Sequence, residues 1–267
     1  MNKQQSWLKP LMRFGFVANG LVYITVGILA IQAALGSGGQ TAGAQGAFAA
    51  IASEPLGQFL VGVIGVGLIG LAIWYVIRGV YDPDNAGSDA SGMAKRVGLV
   101  AAGLGYGVLA YSALRILWTA RASGSGNQVA DWTARLMQQP YGIWLIGIAG
   151  AIVVGVGIYQ LYKAYQTKFR QKLKVQEMSA TEIKWGIRAG RIGIAARAVV
   201  FGLIGIFLVR AAWQANPQAA GGVGRALQTL AGQPYGPWLL GIVAVGLVAY
   251  GLYSAIVLAR YRRIRLR

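Results

Sequence analysis

The chain has 267 residues, of which 56% are hydrophobic and 12% charged, with 25 Lys and Arg against 7 Asp and Glu. A soluble domain has about 25% charged residues, so this composition argues against a soluble protein and predicts a membrane protein. Neither Cys nor His occurs, which excludes disulfides, thiolate or imidazole metal sites and a histidine general base. In an apolar chain, the basic excess indicates an anionic membrane surface as partner and not nucleic acid.

Six apolar stretches are long enough to cross a bilayer, which takes about 20 helical residues. The first follows Lys3, Lys9 and Arg13, as in a signal peptide, but its apolar run exceeds the roughly 7–15 residues of such a segment. We therefore expect it to be retained as a membrane helix. The predicted spans are 14–35, 56–77, 97–120, 142–164, 190–212 and 236–259.

A proline stands at the start of every even-numbered span. A proline in the first turn of a helix lacks only an N–H that would be unpaired there, so we expect these prolines in the first turns. Before them, segments 47–51, 134–137 and 226–230 predict short amphipathic helices at the outer membrane interface; re-entrant segments that dip into a cavity are the alternative. The shared motif is Pro55-Leu56-Gly57, Pro140-Tyr141-Gly142 and Pro234-Tyr235-Gly236.

The odd-numbered spans share a second motif, which begins with an arginine. These leading arginines are Arg13, Arg96 and Arg191, and ten residues after them stand Tyr23, Tyr106 and Phe201. The repeating unit is therefore a two-helix hairpin, present in three copies at 7–82, 90–168 and 182–262 of a single membrane domain. Each copy crosses twice, so all three run parallel. We predict an all-α fold of six transmembrane helices with pseudo-threefold symmetry.

Lysine and arginine are divided unevenly between the two sides of the membrane. Nineteen fall on one side and five on the other, so the positive-inside rule predicts that both termini are cytoplasmic. The first set is Lys3, Lys9, Arg13, Arg78, Lys95, Arg96, Lys163, Lys168, Arg170, Lys172, Lys174, Lys184, Arg188, Arg191, Arg260, Arg262, Arg263, Arg265 and Arg267. The second is Arg115, Arg121, Arg135, Arg210 and Arg225, and Arg197 lies within a span.

Together these motifs resemble a known family. Three tandem two-helix units, with Arg-x-Gly-x-x-Ala near the start of one helix and Gln-Pro-x-Gly before the next, are similar to domain-of-unknown-function family 1206. The resemblance runs from about Arg13 to Arg260. It implies a bacterial integral membrane protein and no established activity. The Ala-Arg pair seen in the family occurs here only at Ala196-Arg197, where the other repeats have Ala18-Asn19 and Ala101-Ala102.

Signatures of catalysis are missing from the chain. No acidic residue lies in a predicted span, so a carboxylate proton relay has no candidate, and we expect neither an enzyme nor a cofactor or metal. Asp82, Asp84 and Asp89 have a spacing that faintly resembles a calcium loop, but the terminal Glu is absent, and a solvated turn is the interpretation we favour. The acidic residues are Glu54, Asp82, Asp84, Asp89, Asp131, Glu177 and Glu182.

Polar residues inside the spans form two register positions. Six residues after the leading arginines stand Asn19, Ala102 and Arg197, and an outer layer holds Gln32, Arg115 and Arg210. Two interpretations stay open for Arg197: extension to the cytoplasmic headgroups, or a site with Asn19 for an anionic headgroup or carboxylate. For Arg115 and Arg210 the alternative is anchoring at the outer interface beside Trp118 and Trp213.

Two functions fit this pattern. The first is a non-enzymatic structural or accessory subunit of a membrane complex, which binds anionic lipid on the cytoplasmic face and has no nucleic-acid partner. The second is a transporter or channel for an anionic or lipophilic small molecule. The missing catalytic groups favour the first, and the basic balance of the chain leaves the second open.

Overall fold

The computed structural model describes residues 8–39, 41–83, 85–119 and 128–261, and these residues form helices and turns without strands. The long helices are α1 (Leu8–Ala34), α3 (Gly57–Tyr81), α4 (Ala90–Thr119), α6 (Gly142–Tyr165), α7 (Ala180–Trp213) and α9 (Gly236–Leu252). The short helices are α2 (Ala44–Ala52), α5 (Gln128–Met137) and α8 (Val223–Ala231). A π-helical segment, Tyr253–Leu258, and a last α-helical turn, Ala259–Tyr261, continue α9.

All six predicted spans are helices that are long and apolar enough to cross a membrane. Three of them begin well before their predicted starts: α1 at Leu8 instead of residue 14, α4 at Ala90 instead of residue 97, and α7 at Ala180 instead of residue 190. A capping box explains the early start of α7, because the Ser179 side chain accepts from the Glu182 amide and the Glu182 side chain accepts from the Ser179 amide. Hydropathy marks the apolar part of a helix and not its polar extension.

The long helices pack side by side in the order α4, α3, α1, α9, α7, α6. Each contacting pair is antiparallel; for example, Gly15 faces Gly67 while Leu11 faces Gly70. Of the helices that follow one another in sequence, only α4 and α6 do not pack along each other within the described residues. The first and last hairpins are joined instead through α1 and α9. The six helices therefore form one continuous row with a gap between its ends, α4 and α6. These are the two helices of the predicted second hairpin, so within the described residues that copy is not a packed hairpin like the other two.

Glycines lie at several of the closest helix contacts. A Cβ added at Gly20 would lie 2.6 Å from the carbonyl oxygen of Gly251, and one at Gly193 would lie 2.4 Å from the Cα of Tyr250. In a bilayer, where lipid is as apolar as the side chains, close backbone approach is the main source of attraction between helices. These interfaces therefore require glycine, because a side chain would keep the two helices apart. Small residues have the same role in other membrane helix bundles.

The two ends of the bundle differ. One, the short-helix end, carries α2, α5 and α8, which confirms the three short helices predicted from the sequence. The opposite, basic end carries the N-termini of α1, α4 and α7. Here the connection between α6 and α7 folds back under the bundle, where Phe169 and Leu173 are buried. The Lys174 amide donates to the Tyr261 carbonyl oxygen (2.8 Å), which ties this connection to the end of α9.

The proline motif has the same geometry in all three copies, but not the predicted one. Each long helix begins at the glycine, so the proline lies before the helix and the prediction of a first-turn proline is wrong. The residue between them adopts a left-handed conformation, with φ of 62°, 62° and 61° at Leu56, Tyr141 and Tyr235. This turn lets the chain reverse directly from a short helix into a long one.

The glycine of the motif is fixed by the same reversal. A Cβ at Gly57, Gly142 or Gly236 would lie 1.8, 1.8 or 1.9 Å from a carbonyl oxygen near the end of the preceding short helix. No real Cβ can be accommodated at that distance. The three Pro-x-Gly motifs therefore form the same tight turn between a short helix and a long one. The turns are Pro55–Gly57, Pro140–Gly142 and Pro234–Gly236.

Candidate functional site

Aromatic residues from five helices line one level of the bundle interior. Tyr23 packs edge-on against Tyr250, with ring centroids 4.7 Å apart. Tyr75 and Tyr106 stack at 5.3 Å. Phe201 of α7 completes the group. Three of the five, Tyr23, Tyr106 and Phe201, occupy the register position ten residues after the leading arginines, so the repeat itself brings an aromatic ring from each hairpin to this level.

The guanidinium of Arg197 lies among these rings. Its Cζ is 4.9 Å from the ring centroids of Phe201 and Tyr250 and 5.7 Å from that of Tyr23. Its NH1 group donates a hydrogen bond to the Tyr250 hydroxyl. The ring faces attract the cation, each by about 0.5–2 kcal/mol depending on desolvation. None of the contacts described for Arg197 is with a carboxylate.

One hydrogen-bond donor of the Arg197 guanidinium lacks an acceptor among the described residues. The Nε atom of Arg197 is buried and has no hydrogen-bond partner in the described part of the protein, although the residue as a whole is only half-buried. A buried donor without an acceptor costs about 1–3 kcal/mol, and more for a charged group. Arg197 is therefore stabilised by aromatic faces but not fully satisfied by hydrogen bonds.

The contacts of the Arg197 guanidinium are with aromatic side chains of α1, α7 and α9, which fits the interior interpretation. Its guanidinium reaches the ring of Phe201, one turn further from the basic end than Arg197 itself. Phe201 follows Arg191 by ten residues, or roughly 15 Å of helix, which is about half of a 30 Å hydrocarbon core. The guanidinium also contacts Tyr250, which packs against Gly193, one turn nearer the basic end, so aromatic rings flank the charge on both sides along α7.

Asn19, the predicted partner of Arg197, binds elsewhere. Its Nδ2 donates to the Ser254 hydroxyl (3.1 Å), and that hydroxyl donates to the Phe16 carbonyl oxygen (2.9 Å). Asn19 and Ser254 are both buried. Ser254 lies in the π-helical segment of α9, where the irregular backbone is held against α1 by these bonds. The hydrogen bond of Asn19 therefore joins α1 to the π-helical segment of α9, one helical turn from Tyr23.

The predicted outer polar layer lies at the short-helix end, and its three residues Gln32, Arg115 and Arg210 are exposed. Arg210 lines a cavity of about 390 Å³ between α7 and α8, together with Arg225 and Thr229. Arg225 is occupied in holding the loop before α8, because its NH1 donates to the carbonyl oxygens of Ala220 (2.8 Å) and Gln218. The cavity is polar and basic.

The acidic loop after α3 is a turn. The Asp82 carboxylate accepts from the amides of Ala86 (2.7 Å) and Gly87 (3.0 Å), and these two bonds lower the pKa of Asp82 below its usual 3.8. Asp84 lies outside the described residues. Within the described residues no three acidic side chains come close enough to hold a metal ion. The backbone bonds of Asp82 favour the solvated turn over the calcium loop.

Two of the six residues of this site give no signal in the sequence. Tyr23, Tyr106 and Phe201 are visible as a register position, but nothing in their spacing tells which way they face. Tyr75 and Tyr250 have no aromatic equivalent in the other repeats, so the repeat gives no signal for them. Arg197 was visible as a charge inside a span. Its direction depends on the rings of two neighbouring helices, which only the packing reveals.

Comparison with known proteins agrees with the threefold repeat. The pattern of the family Domain of Unknown Function (DUF1206) matches residues 14–82, 97–166 and 192–262. The chain is also 35% identical over 248 residues to "Uncharacterized protein YxxB" of Bacillus subtilis (strain 168), an alignment that covers 93% of this chain and 89% of the relative. No solved structure matches the chain.

Each of the three matched regions contains one pair of long helices: α1 with α3, α4 with α6, and α7 with α9. Six helices of this length and hydropathy indicate an integral membrane protein. The relative carries no assigned activity in its description. The resemblance expected from the leading arginines and the Pro-x-Gly motifs is thus confirmed, and the chain belongs to the DUF1206 family of tandem-repeat membrane proteins.

Proposed function

We propose that the protein is a non-enzymatic accessory component of a membrane complex, which binds anionic lipid through its basic end. The observation that carries this proposal is the segregation of exposed basic side chains. Because neighbouring helices are antiparallel, the starts of α1, α4 and α7 and the ends of α3, α6 and α9 meet at one end. Exposed basic residues described there are Arg13, Lys95, Arg170, Lys184, Arg188, Arg191 and Arg260.

This segregation also supports an orientation. Under the positive-inside rule, the basic end faces the cytoplasm of a bacterial cell and the short-helix end faces outward, so that both termini are cytoplasmic and the protein lies in the cytoplasmic membrane. The identical turns at Gly57, Gly142 and Gly236 support a further proposal, that the three hairpins are related by a pseudo-threefold axis along the membrane normal. The opening between α4 and α6 is then a local departure from that symmetry.

The accessory role is supported by the outer faces of α4 and α6. An added Cβ at Gly98, Gly105 or Gly155 would meet no other atom within 4 Å. Elsewhere in this chain a helical glycine usually marks the close approach of another helix. Glycines that face no neighbour, on the two helices that do not pack together, therefore favour contact with a helix of another membrane protein.

The experiment is purification in mild detergent, followed by native mass spectrometry after exchange into nanodiscs. The nanodiscs contain equal amounts of dioleoylphosphatidylglycerol and dioleoylphosphatidylcholine. We expect retained lipid to be enriched in phosphatidylglycerol, because each exposed Lys or Arg near an anionic surface contributes about 1 kcal/mol. We also expect a co-purifying membrane protein of fixed stoichiometry. Equal retention of the two lipids contradicts lipid binding, and a protein that is always alone contradicts the accessory role.

Two matched triple variants locate the lipid contact. Lys95→Gln/Lys184→Gln/Arg188→Gln removes three exposed charges from the basic end, and Arg115→Gln/Arg135→Gln/Arg210→Gln removes three from the short-helix end. The first variant should lose the preference for phosphatidylglycerol, and the second should keep it. The reverse result would place the lipid contact at the wrong end. High salt should weaken the preference in the unmodified protein.

Transport of an anionic or lipophilic molecule is a second candidate, favoured by Arg197. A charge that lies among aromatic rings within a membrane span is a feature of a binding site more than of a scaffold. A transporter requires that the bound compound cross the membrane. Liposomes containing the protein should then equilibrate a labelled anionic amphiphile faster than empty liposomes, whereas an accessory protein leaves the rate unchanged.

A further inference from the structure

We propose that Arg197 and the surrounding tyrosines form an intramembrane site for the headgroup of a single-chain anionic amphiphile, a carboxylate or a phosphate. This goes beyond the lipid binding proposed above, because it concerns the interior of the bundle and not its basic end. The parts of the site are Arg197, Tyr23, Tyr75, Tyr106, Phe201 and Tyr250.

The charge of the ligand follows from the charge of Arg197. A guanidinium in a hydrocarbon layer is costly unless a partner relieves it. No acidic residue of the sequence falls in the apolar part of a span, so the chain itself provides no counter-ion at this level. A bound oxyanion would supply it.

The hydrogen-bonding capacity of the site fits an oxyanion. Arg197 uses NH1 toward Tyr250, while its buried Nε has no acceptor among the residues that the structure describes. A carboxylate or phosphate oxygen accepts well from guanidinium N–H groups, which present a planar fork. Tyr75 and Tyr106 lie close enough to interact electrostatically with the guanidinium, so phenol hydroxyls, which can donate hydrogen bonds, come from α1, α3, α4 and α9 to the same region.

The alkyl chain of the ligand is inferred from the route by which a ligand can reach Arg197. Arg197 lies inside the apolar span Ala180–Trp213, so a small hydrated anion would have to lose its water to reach it, at a high cost. An amphiphile already dissolved in the bilayer can enter sideways between α4 and α6, where the helices do not pack along each other. Its alkyl chain stays in an apolar surrounding while its headgroup meets Arg197.

The experiment measures the melting temperature in detergent and the dissociation constant by native mass spectrometry with four probes. Oleate and oleyl phosphate carry both headgroup and chain, oleyl alcohol lacks the charge, and inorganic phosphate lacks the chain. We expect stabilisation by oleate or oleyl phosphate only. Equal binding of oleyl alcohol would overturn the role of the anion, and equal binding of inorganic phosphate would overturn the role of the chain.

Arg197→Gln tests the residue directly. Loss of a charged hydrogen-bonding group should weaken oleate binding about 10-fold to 100-fold. The matched control is Arg210→Gln, which removes the same charge from the same helix at an exposed position and should bind oleate like the unmodified protein. Unchanged oleate binding in Arg197→Gln overturns the proposal.

If Arg197→Gln does not fold, Arg197→Lys decides, because lysine keeps the charge and the attraction to the rings but loses the planar fork. Weaker oleate binding in Arg197→Lys supports the site, and unchanged affinity overturns it. In both variants the preference of the basic end for phosphatidylglycerol should be unaltered. Loss of that preference together with oleate binding would contradict two separate sites, so failure of this proposal and failure of the proposed function are distinguishable.

Discussion

Gly142 lies so close to the end of α5 that only a residue without a side chain fits in the turn between α5 and α6. A Cβ there would be 1.8 Å from the Leu136 carbonyl oxygen. The backbone conformation of the motif is strained at Tyr141, not at the glycine, since it is Tyr141 that has the positive φ. At the residue scale, the motif therefore consists of two different requirements, a left-handed residue followed by one without a Cβ.

Replacing this glycine should open the turn. We expect Gly142→Ala to lower the melting temperature in detergent, because overpacking against a backbone carbonyl costs about 1–3 kcal/mol or more. The control is Gly155→Ala, where an added Cβ meets no atom within 4 Å and alanine is the better helix former. Its melting temperature should be unchanged or higher. If both variants melt alike, close approach at Gly142 is not what the motif requires.

Ser254 connects two helices whose backbone contact is otherwise made by glycine. Within α9 the chain passes from α-helix to π-helix at Tyr253, and Ser254 and Asn19 form the polar contact of this segment with α1. A π segment places one extra residue in a turn and so changes which side chains face the neighbouring helix. At the element scale, this irregularity turns the hydroxyl of Ser254 inward toward Phe16.

Removing that hydroxyl should loosen α1 from α9. In Ser254→Ala, the Phe16 carbonyl oxygen loses a donor and the buried Asn19 amide loses its acceptor, so we expect a loss of about 1–2 kcal/mol in stability. Ser112→Ala is the control, since Ser112 bonds only one turn back within α4, to the Val108 carbonyl oxygen. A melting temperature that falls equally in both variants would contradict the role of Ser254 between helices.

The sequence predicts elements better than it predicts their contacts. Apolar runs and Pro-x-Gly motifs place all six long helices and the three short ones, because burial in lipid requires both hydrophobicity and length. The capping box before α7 extends that helix over polar residues that hydropathy does not detect. The π segment leaves no signal in the sequence, because it arises from packing against α1. The direction of Arg197 depends likewise on Tyr23 and Tyr250.

At the scale of the whole molecule, the alternating direction of the helices decides where every connection lies. The short helices and their turns share one end, and the acidic turn at Asp82 and the connection after α6 share the other. A chain with three parallel repeats has no freedom to place them otherwise. The one feature of the assembly that repetition does not predict is the separation of α4 from α6, since equal hairpins would be expected to pack equally.

The orientation can be measured, because the chain has no cysteine of its own. Single substitutions Ser53→Cys, after α2, and Ser91→Cys, at the start of α4, both place a thiol at an exposed position. In intact cells, a membrane-impermeant maleimide should label Ser53→Cys at once and Ser91→Cys only after permeabilisation. Labelling in the reverse order would show that the basic end faces outward, against the positive-inside rule.

The contact between α1 and α9 has a consequence for biogenesis. Gly20 and Gly251 touch across this interface, yet about 230 residues separate them in the chain. At about 5–20 residues per second, the ribosome needs roughly ten to fifty seconds to supply the partner of α1. During that interval the glycine face of α1 is exposed to lipid and to any other helix nearby. Slower translation between α3 and α9 lengthens this interval, a property of biogenesis that the stability of the finished protein does not reveal.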